Sequence, residues 1–218
     1  GPGGTFARVW IPGAESAEAF DLKGRRLGAL TQSDKRGLFE GKILGAPVPV
    51  KYKARGYGTQ WWMTDPYSFG PVLGPVDDFL IAQGAHWRLY DKMGAHLISH
   101  EGANGIHFAV WAPNARRVSV VGDFNDWDGR RHVMRRRADI GVWEIFIPDI
   151  AEGRAYKFEV VGADGKLRPL KADPFAFAAE LRPATASLTT GTPSHDWGDQ
   201  AHRDFWAKAD ARRQPISI

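Results

Sequence analysis

Short segments in which hydrophobic and polar residues alternate occupy most of the chain. The segment Val50-Lys51-Tyr52-Lys53-Ala54-Arg55 alternates strictly, and Trp143, Ile145 and Ile147 lie on one side of another alternating run. In a third run, Tyr156, Phe158 and Val160 share one face, with Lys157 and Glu159 opposite. Successive side chains of a strand point to opposite faces of a sheet, so each run predicts a half-buried strand. Turn residues such as Pro12-Gly13 separate the runs, which is typical of β-sandwiches.

Between two such β regions, residues 77–94 follow a helical period. Asp77 and Asp78 come first, where the helix dipole favours acidic side chains. Gly84 interrupts the pattern, so we predict either one broken helix or two short ones. The apolar positions of this segment are Phe79, Leu80, Trp87, Tyr90 and Met93.

The two β regions resemble each other. Four short strings of the first region recur in the same order about 100 residues later. The clearest pairs are Trp10-Ile11-Pro12 with Trp111-Ala112-Pro113, Leu38-Phe39-Glu40 with Val142-Trp143-Glu144, Tyr52-Lys53 with Tyr156-Lys157, and Asp65-Pro66-Tyr67 with Asp173-Pro174-Phe175. An internal repeat of this kind predicts an all-β protein of two tandem sandwiches, at 5–75 and 95–190, joined by a helical linker at 76–94.

Both ends of the chain differ from the sandwiches. Residues 191–218 are polar with a helical pattern, in which Phe205 and Trp206 are apolar contacts. A strand-like segment begins at 216–218 and stops, so we expect a short helical tail that leads into a further strand of a longer chain. The first residues, 1–4, are predicted to be a tag remnant.

Composition and charge exclude several classes of function. Lys and Arg number 29 against 25 Asp and Glu, a net charge of +4 without a dense basic stripe, which argues against a nucleic-acid partner. There is no Cys, and no apolar run approaches the ~20 residues of a membrane span. The His residues lack metal-ligand spacing, and the sequence contains no nucleophile, Walker or dinucleotide motif. We therefore predict no metal, no cofactor and no membrane contact.

The string Gly122-Asp123-Phe124-Asn125-Asp126-Trp127 is the most specific feature of the second β region. Its Gly, Asp and Asn residues favour a tight turn that holds Trp127 at a loop tip. A tryptophan plane suits a sugar, because the apolar C–H face of a pyranose packs on an aromatic face. Trp127, Lys157 and Asn125 are the candidate carbohydrate-binding residues, with Lys157 as a hydroxyl donor. The alternative is that Trp127 closes the end of the sandwich and Lys157 is merely solvated.

Trp61 and Trp62 form a second aromatic pair. Adjacent strand residues point to opposite faces, so one of them is expected in the core and the other on the surface or at an interface.

These motifs identify a resemblance. Over nearly its whole length the chain resembles the N-terminal portion of bacterial 1,4-α-glucan branching enzymes, the glycogen branching enzymes. A shorter string, Val110-Trp111-Ala112-Pro113, also fits debranching enzymes and trehalohydrolases, which are the alternative families. The specific strings are Leu89-Tyr90-Asp91-Lys92-Met93-Gly94-Ala95-His96, the Gly122–Trp127 turn, and Arg182-Pro183-Ala184-Thr185-Ala186-Ser187.

The resemblance implies a first N-terminal β-domain at 5–75 and a carbohydrate-binding module of family 48 at 95–190, both immunoglobulin-like (E-set) sandwiches. In the family a catalytic (β/α)₈ barrel follows and carries the catalytic Asp and Glu, so no catalytic residue is expected in this chain. The family's enzyme cleaves an α-1,4 linkage and transfers the chain to a 6-hydroxyl with retention of configuration. The resemblance implies that the partners are α-glucan (glycogen and maltooligosaccharides) and the catalytic barrel. It implies no cofactor, and the cytoplasm as the location.

The second sandwich also resembles the glycogen-binding module of the AMP-activated kinase β-subunit. There a Trp after the Asn-rich turn stacks on glucose and a strand Lys assists; Trp127 and Lys157 match those positions. A second stacking Trp follows an Asp-Gly turn in that module, whereas Lys166-Leu167 stands there in this chain. We expect weak, one-sided binding, and no equivalent site in the first sandwich, where Phe20-Asp21-Leu22-Lys23-Gly24 replaces the turn. The alternative is a scaffold for the barrel that binds no glucan.

Overall fold

The computed structural model describes residues 5–45, 49–191 and 197–214. Strands dominate these residues, which confirms the all-β prediction, and no helix among them is long and apolar enough to cross a membrane. The strands are β1 (Thr5–Trp10), β2 (Ser16–Asp21), β3 (Arg26–Asp34), β4 (Leu38–Ile43), β5 (Val50–Gly56), β6 (Thr59–Thr64), β7 (Gly94–His100), β8 (Ala103–Trp111), β9 (Ala115–Gly122), β10 (Arg135–Arg137), β11 (Val142–Pro148), β12 (Ala155–Gly162), β13 (Ala178–Ala179) and β14 (Ser187–Leu188). The α-helices are α1 (Pro75–Ala82) and α2 (Gln200–Lys208).

The first sandwich is one six-stranded antiparallel sheet, in the order β1-β4-β3-β2-β5-β6, that folds over its own core. Strand β3 joins the two halves, because it pairs with β2 up to Leu30 and with β4 from Thr31 onward. In β5, Tyr52 and Ala54 are buried while Lys53 points outward, as the alternation predicted. Side chains of all six strands meet in a single hydrophobic cluster.

The second sandwich consists of two four-stranded sheets, β10-β11-β8-β7 and β13-β14-β12-β9. Trp143, Ile145 and Ile147 of β11 and Tyr156 and Phe158 of β12 lie in the core between the sheets, which confirms the faces read from the sequence. The loop after β9 crosses from one sheet to the other before β10 begins.

The linker, defined from here on as residues 65–93 between β6 and β7, contains two short helical pieces, the second of the two predicted alternatives. Helix α1 begins at Pro75, where Gly74 N donates a hydrogen bond to Asp77 Oδ2 at 3.0 Å. It ends before Gly84, which has a φ of +64°, the left-handed conformation common after a helix. One 3₁₀ turn, Leu89–Asp91, follows.

The linker covers the outer face of the β10-β11-β8-β7 sheet. Leu73 and Met93 pack with Ala109, Ile140 and Val142 in a second, smaller core. Because the sheet is covered on both faces, β11 is buried at every position. The division of the chain at 75 and 95 stays a prediction, since the linker packs closely against the second sandwich.

A buried carboxylate joins the linker to this sheet. Glu144 of β11 is 2% exposed, and its Oε2 accepts hydrogen bonds from Val72 N, Leu73 N and His107 Nε2 at 3.0, 3.1 and 3.0 Å. Its Oε1 accepts one from Arg137 at 3.0 Å. Burial alone would raise the pKa of Glu144, but the hydrogen bonds from His107 and the linker backbone lower the pKa below its usual value. Glu144 is therefore an anion at neutral pH.

The tail contains the predicted helix. Helix α2 is exposed along its length, and Phe205 and Trp206 lie on it with ring centroids 5.5 Å apart. The predicted tag remnant at 1–4 and the predicted strand at 216–218 lie outside the described residues.

Candidate functional site

A tight turn at the end of β9 presents Trp127. Asp123–Asn125 form one 3₁₀ turn, and both Asp126 and Trp127 are left-handed, with φ of 56° and 57°. This conformation costs an ordinary residue about 1–2 kcal/mol, so surrounding contacts must hold it. One of them is the hydrogen bond from Trp127 N to Gly122 O, at 3.1 Å.

Asn125 holds this turn from the inside. It is 1% exposed; its Oδ1 accepts a hydrogen bond from Gly122 N at 2.9 Å, and its Nδ2 donates to Val120 O at 2.9 Å and to His132 Nδ1 at 2.8 Å. These partners belong to the turn and the loop beside it, so the amide is directed into the protein. Its predicted role as a carbohydrate-binding residue stays a prediction, since the structure shows Asn125 bonded to the turn that presents Trp127.

The hydrogen bond between Asn125 and His132 makes the stability of this turn depend on pH. Nδ1 of His132 accepts a hydrogen bond only while that nitrogen carries no proton. Burial, with a smaller effect of Arg131, lowers the pKa of His132 from 6.5 to about 4. On acidification the unfolded chain takes up this proton before the folded chain does. We therefore expect His132 to subtract up to about 3 kcal/mol from the free energy of unfolding between pH 7 and pH 4.

Urea unfolding at both pH values measures this loss. The control is His132→Gln, which keeps an acceptor for Asn125 but cannot titrate, so its unfolding free energy should fall by less over the same range. An equal fall in the variant and in the unsubstituted chain would contradict the role of His132.

Asp123 orients the ring of Trp127. The indole Nε1 donates to Asp123 Oδ1 at 3.2 Å, and Asp123 Oδ2 accepts a hydrogen bond from Ala155 N of β12 at 3.1 Å. Trp127 is 38% exposed, and among the described residues it is not part of the core cluster of this sandwich. The Asp123 carboxylate thus connects the turn to β12, and the Trp127 ring remains partly exposed to solvent. Sequence reasoning treated Asp123 as a turn former only, because Ala155 is distant in the chain.

Lys157 lies at the same end of the sheet. It is opposite Val121 in the β9–β12 register, one residue from the Gly122 carbonyl that Trp127 binds. Lys157 Nζ donates to Thr185 Oγ1 at 2.6 Å. Sequence reasoning missed Thr185 as a partner, although it lies within the Arg182–Ser187 motif that carries the family resemblance.

No aromatic ring follows the Asp164-Gly165 turn, where the kinase module carries its second Trp, and this turn lies at the end of β12 away from Trp127. Gly165, with a φ of +76°, makes the turn, and Leu167 after it is 61% exposed. Leu167 is bridged to Val161 of β12, so its side chain occupies a defined place beside the sheet. Any sugar on Trp127 is therefore supported from one side by an aromatic ring.

Tyr67 holds the loop that follows the turn. Its hydroxyl accepts a hydrogen bond from Val133 N at 2.8 Å, and its carbonyl accepts one from Arg135 at 2.8 Å. Tyr67 belongs to the segment between β6 and α1, so the linker contributes to the shape of the loop behind Trp127.

Comparison with known proteins now gives the class of this chain. Residues 92–176 match the family described as Carbohydrate-binding module 48 (Isoamylase N-terminal domain). The second sandwich is thus a module of this family, and the matched residues include the Gly122–Trp127 turn.

Curated relatives match this chain over its whole length. The chain is 68% identical over 218 residues to the 1,4-alpha-glucan branching enzyme of Novosphingobium aromaticivorans, covering 100% of this chain and 30% of the relative. It is 62% identical over 216 residues to that of Mesorhizobium japonicum, covering 99% and 29%. The chain therefore belongs to the 1,4-α-glucan branching enzyme family, as an N-terminal region of such an enzyme, and the resemblance seen in the sequence is confirmed.

The chain spans about 30% of the length of these curated relatives. A solved structure, pullulanase from Anoxybacillus sp. LM18-11 complexed with maltotetraose, is 18% identical and aligns over 88% of this chain and 26% of its own, with a TM-score of 0.39.

Proposed function

We propose that this region binds α-glucan at Trp127 and positions it for a branching enzyme. The observation that carries the proposal is the exposed ring of Trp127, held by Asp123 and by the buried Asn125, with Lys157 at the same end of the sheet. The ring offers an apolar surface to the C–H face of glucose, while Asp123 and Lys157 offer an acceptor and a donor to its hydroxyls.

The test is isothermal titration of the chain with maltoheptaose, and with cellohexaose as the β-linked control. A single platform must offset the ordering of a flexible glucan, so we expect a dissociation constant in roughly the millimolar range for maltoheptaose. Cellohexaose should bind more weakly, because its β-linked chain is straight rather than curved. Absence of maltoheptaose binding, or equal binding of both sugars, would overturn the proposal.

Adding a ring at the hairpin should strengthen the site. Leu170→Trp places a second aromatic surface near Lys157, because the next residue, Lys171, is bridged to Phe158 of β12, and we expect affinity for maltoheptaose to rise about threefold to tenfold. Leu167→Trp is the control and should leave affinity unchanged, because Leu167 is bridged to Val161 at the other end of β12. A gain in neither variant or in both would show that Leu170 does not face the bound sugar.

For the whole protein we propose branching activity in the cytoplasm. It would cleave α-1,4 linkages of glycogen or maltooligosaccharides and form α-1,6 branches by retaining transfer. The catalytic residues would lie in the part of the relatives that this chain does not span, so the chain alone should be inactive. The high identity to branching enzymes supports this assignment over debranching enzymes or trehalohydrolases.

The second candidate is a scaffold for the catalytic barrel. Trp197, Phe205 and Trp206 are 74%, 52% and 39% exposed, and an exposed apolar surface of this kind marks an interface. A chain that fails to bind maltoheptaose, while Phe205→Ser lowers the thermal stability of the full-length enzyme, would favour the scaffold. The two candidates are compatible, because they use different surfaces.

A further inference from the structure

The paired tryptophans of β6 divide between core and surface as the sequence predicted. Trp61 packs against the core of the first sandwich, whereas Trp62 is 52% exposed on its outer face. The proposed function makes no use of Trp62, although its surroundings are organised.

Two side chains position the Trp62 ring. Phe20 of β2 contacts it edge to face, with ring centroids 4.9 Å apart and an interplanar angle of 65°. Lys53, directly opposite Trp62 in the β5–β6 register, places its Nζ 5.6 Å from the ring centroid. An exposed indole with a fixed neighbour and an adjacent ammonium group provides an apolar surface beside a hydrogen-bond donor.

A shallow hollow of about 340 Å³ shares Lys53 with the surroundings of this ring. Lys53 lines it together with Arg55 and Glu18, whose Oε1 also accepts a hydrogen bond from Arg26 at 2.8 Å. Donors and an acceptor therefore stand next to the aromatic surface. A pyranose needs this combination, because it has apolar faces and a rim of hydroxyls that both donate and accept.

We propose that Trp62 and this hollow form a second α-glucan site, on the first sandwich. The proposal rests on the proposed function, since it takes the same ligand class. A polyanion fits less well, because the Glu18 carboxylate lines the hollow beside the two cations. The site also lies toward the second sandwich: Thr64, on the same face of β6, donates a hydrogen bond to Asp149 Oδ2 at 2.8 Å.

This site differs from the one that the sequence excluded. That expectation concerned an equivalent of the Gly122–Trp127 turn, which the first sandwich lacks. Here the ring comes from an edge strand, and Phe20, at the beginning of the replaced string, supports it.

The experiment is a maltoheptaose titration followed by ¹H–¹⁵N spectra of the tryptophan indoles, with Trp62→Ala and Trp127→Ala identifying the two signals. We expect the Trp62 signal to shift, and to shift still in Trp127→Ala. Trp62→Ala should lower the affinity measured in the Trp127→Ala background by roughly threefold to tenfold. Trp10→Ala, an exposed tryptophan on the other edge strand of the same sheet, is the matched control and should change nothing.

The outcomes separate the two proposals. A shift at Trp127 without one at Trp62 overturns this inference and leaves the proposed function standing, whereas no shift at either ring overturns both. A Trp62 signal that responds to heparin but not to maltoheptaose also overturns it, in favour of a polyanion site. Should Trp62→Ala unfold, Lys53→Met supplies the test, because it keeps the ring and removes the donor; unchanged affinity in that variant would contradict the site.

Discussion

Trp127→Ala is expected to lower the affinity of the chain for maltoheptaose at least about tenfold, which leaves only the weaker binding proposed at Trp62. The ring is the one aromatic surface at the turn, and removing it takes away most of the apolar area that a glucose unit covers on binding. Lys157 and Asp123 remain, but isolated hydrogen bonds exchange with water at little net gain. The measurement is isothermal titration at neutral pH, with the fold checked by circular dichroism.

The matched control is Trp111→Ala. Trp111 is 62% exposed at the opposite end of the second sandwich, so its removal takes away a similar ring without touching the turn. Equal loss of affinity in the two variants would place the sugar elsewhere, and full retention in Trp127→Ala would remove Trp127 from the site.

Glu144→Gln is expected to lower the free energy of unfolding by about 3 kcal/mol. Glutamine has nearly the same shape, and its oxygen can accept the hydrogen bonds of Val72, Leu73 and His107. Its amide group would then face the Arg137 guanidinium, donor against donor, and this partly buried cation would lose its adjacent anion. Breaking one partner of a buried ion pair typically costs about 3–5 kcal/mol, and Arg137 retains part of this through its ion pair with Asp78.

Chemical denaturation monitored by tryptophan fluorescence measures the loss. The control is Glu101→Gln, since Glu101 also accepts a hydrogen bond from the linker, at Gly70 N, but its side chain is 41% exposed. That variant should lose less than about 1 kcal/mol, because water compensates an exposed carboxylate. If both variants lost a similar free energy of unfolding, the burial of Glu144 would not explain the destabilisation by Glu144→Gln.

Trp127→Ala and Glu144→Gln test two different parts of the second sandwich. Trp127 belongs to the loop that crosses between the sheets, while Glu144 anchors the linker to one of those sheets. Tyr67, at the start of the linker region, holds the crossing loop through Val133 and Arg135. We therefore expect the linker to support the turn that presents Trp127, although it contributes no ring to the site.

Periodicity alone predicted which side chains are buried in strands that have one face in the core and the other on the outside. Alternation in β5 and β12 assigned Tyr52 and Tyr156 to the cores and Lys53 and Lys157 to the outside. It was insufficient for β11, where Glu144 alternates with core residues and reads as a solvated position. Its burial depends on a linker that lies some 70 residues earlier in the chain.

The same distinction applies to the candidate site. Trp127 was found because a Gly-, Asp- and Asn-rich string predicts a turn from local conformational preferences alone. The positioning roles of Asn125 and Asp123 and the contact of Lys157 with Thr185 were not found, because each depends on a partner that the fold brings near.

By itself the sequence determined the two tandem sandwiches, the helical character of the linker, the turn at Trp127 and the family, since these follow from local periodicity, turn chemistry and recurring strings. Tertiary structure alone decided which polar side chains are buried, which hold the turn and which tryptophans remain open to solvent. The physical reason is that burial and hydrogen bonding are properties of surfaces in contact. Glu144 and Asn125 are buried and bonded, and Trp62 contacts Phe20, only when strands and loops distant in the chain are packed together.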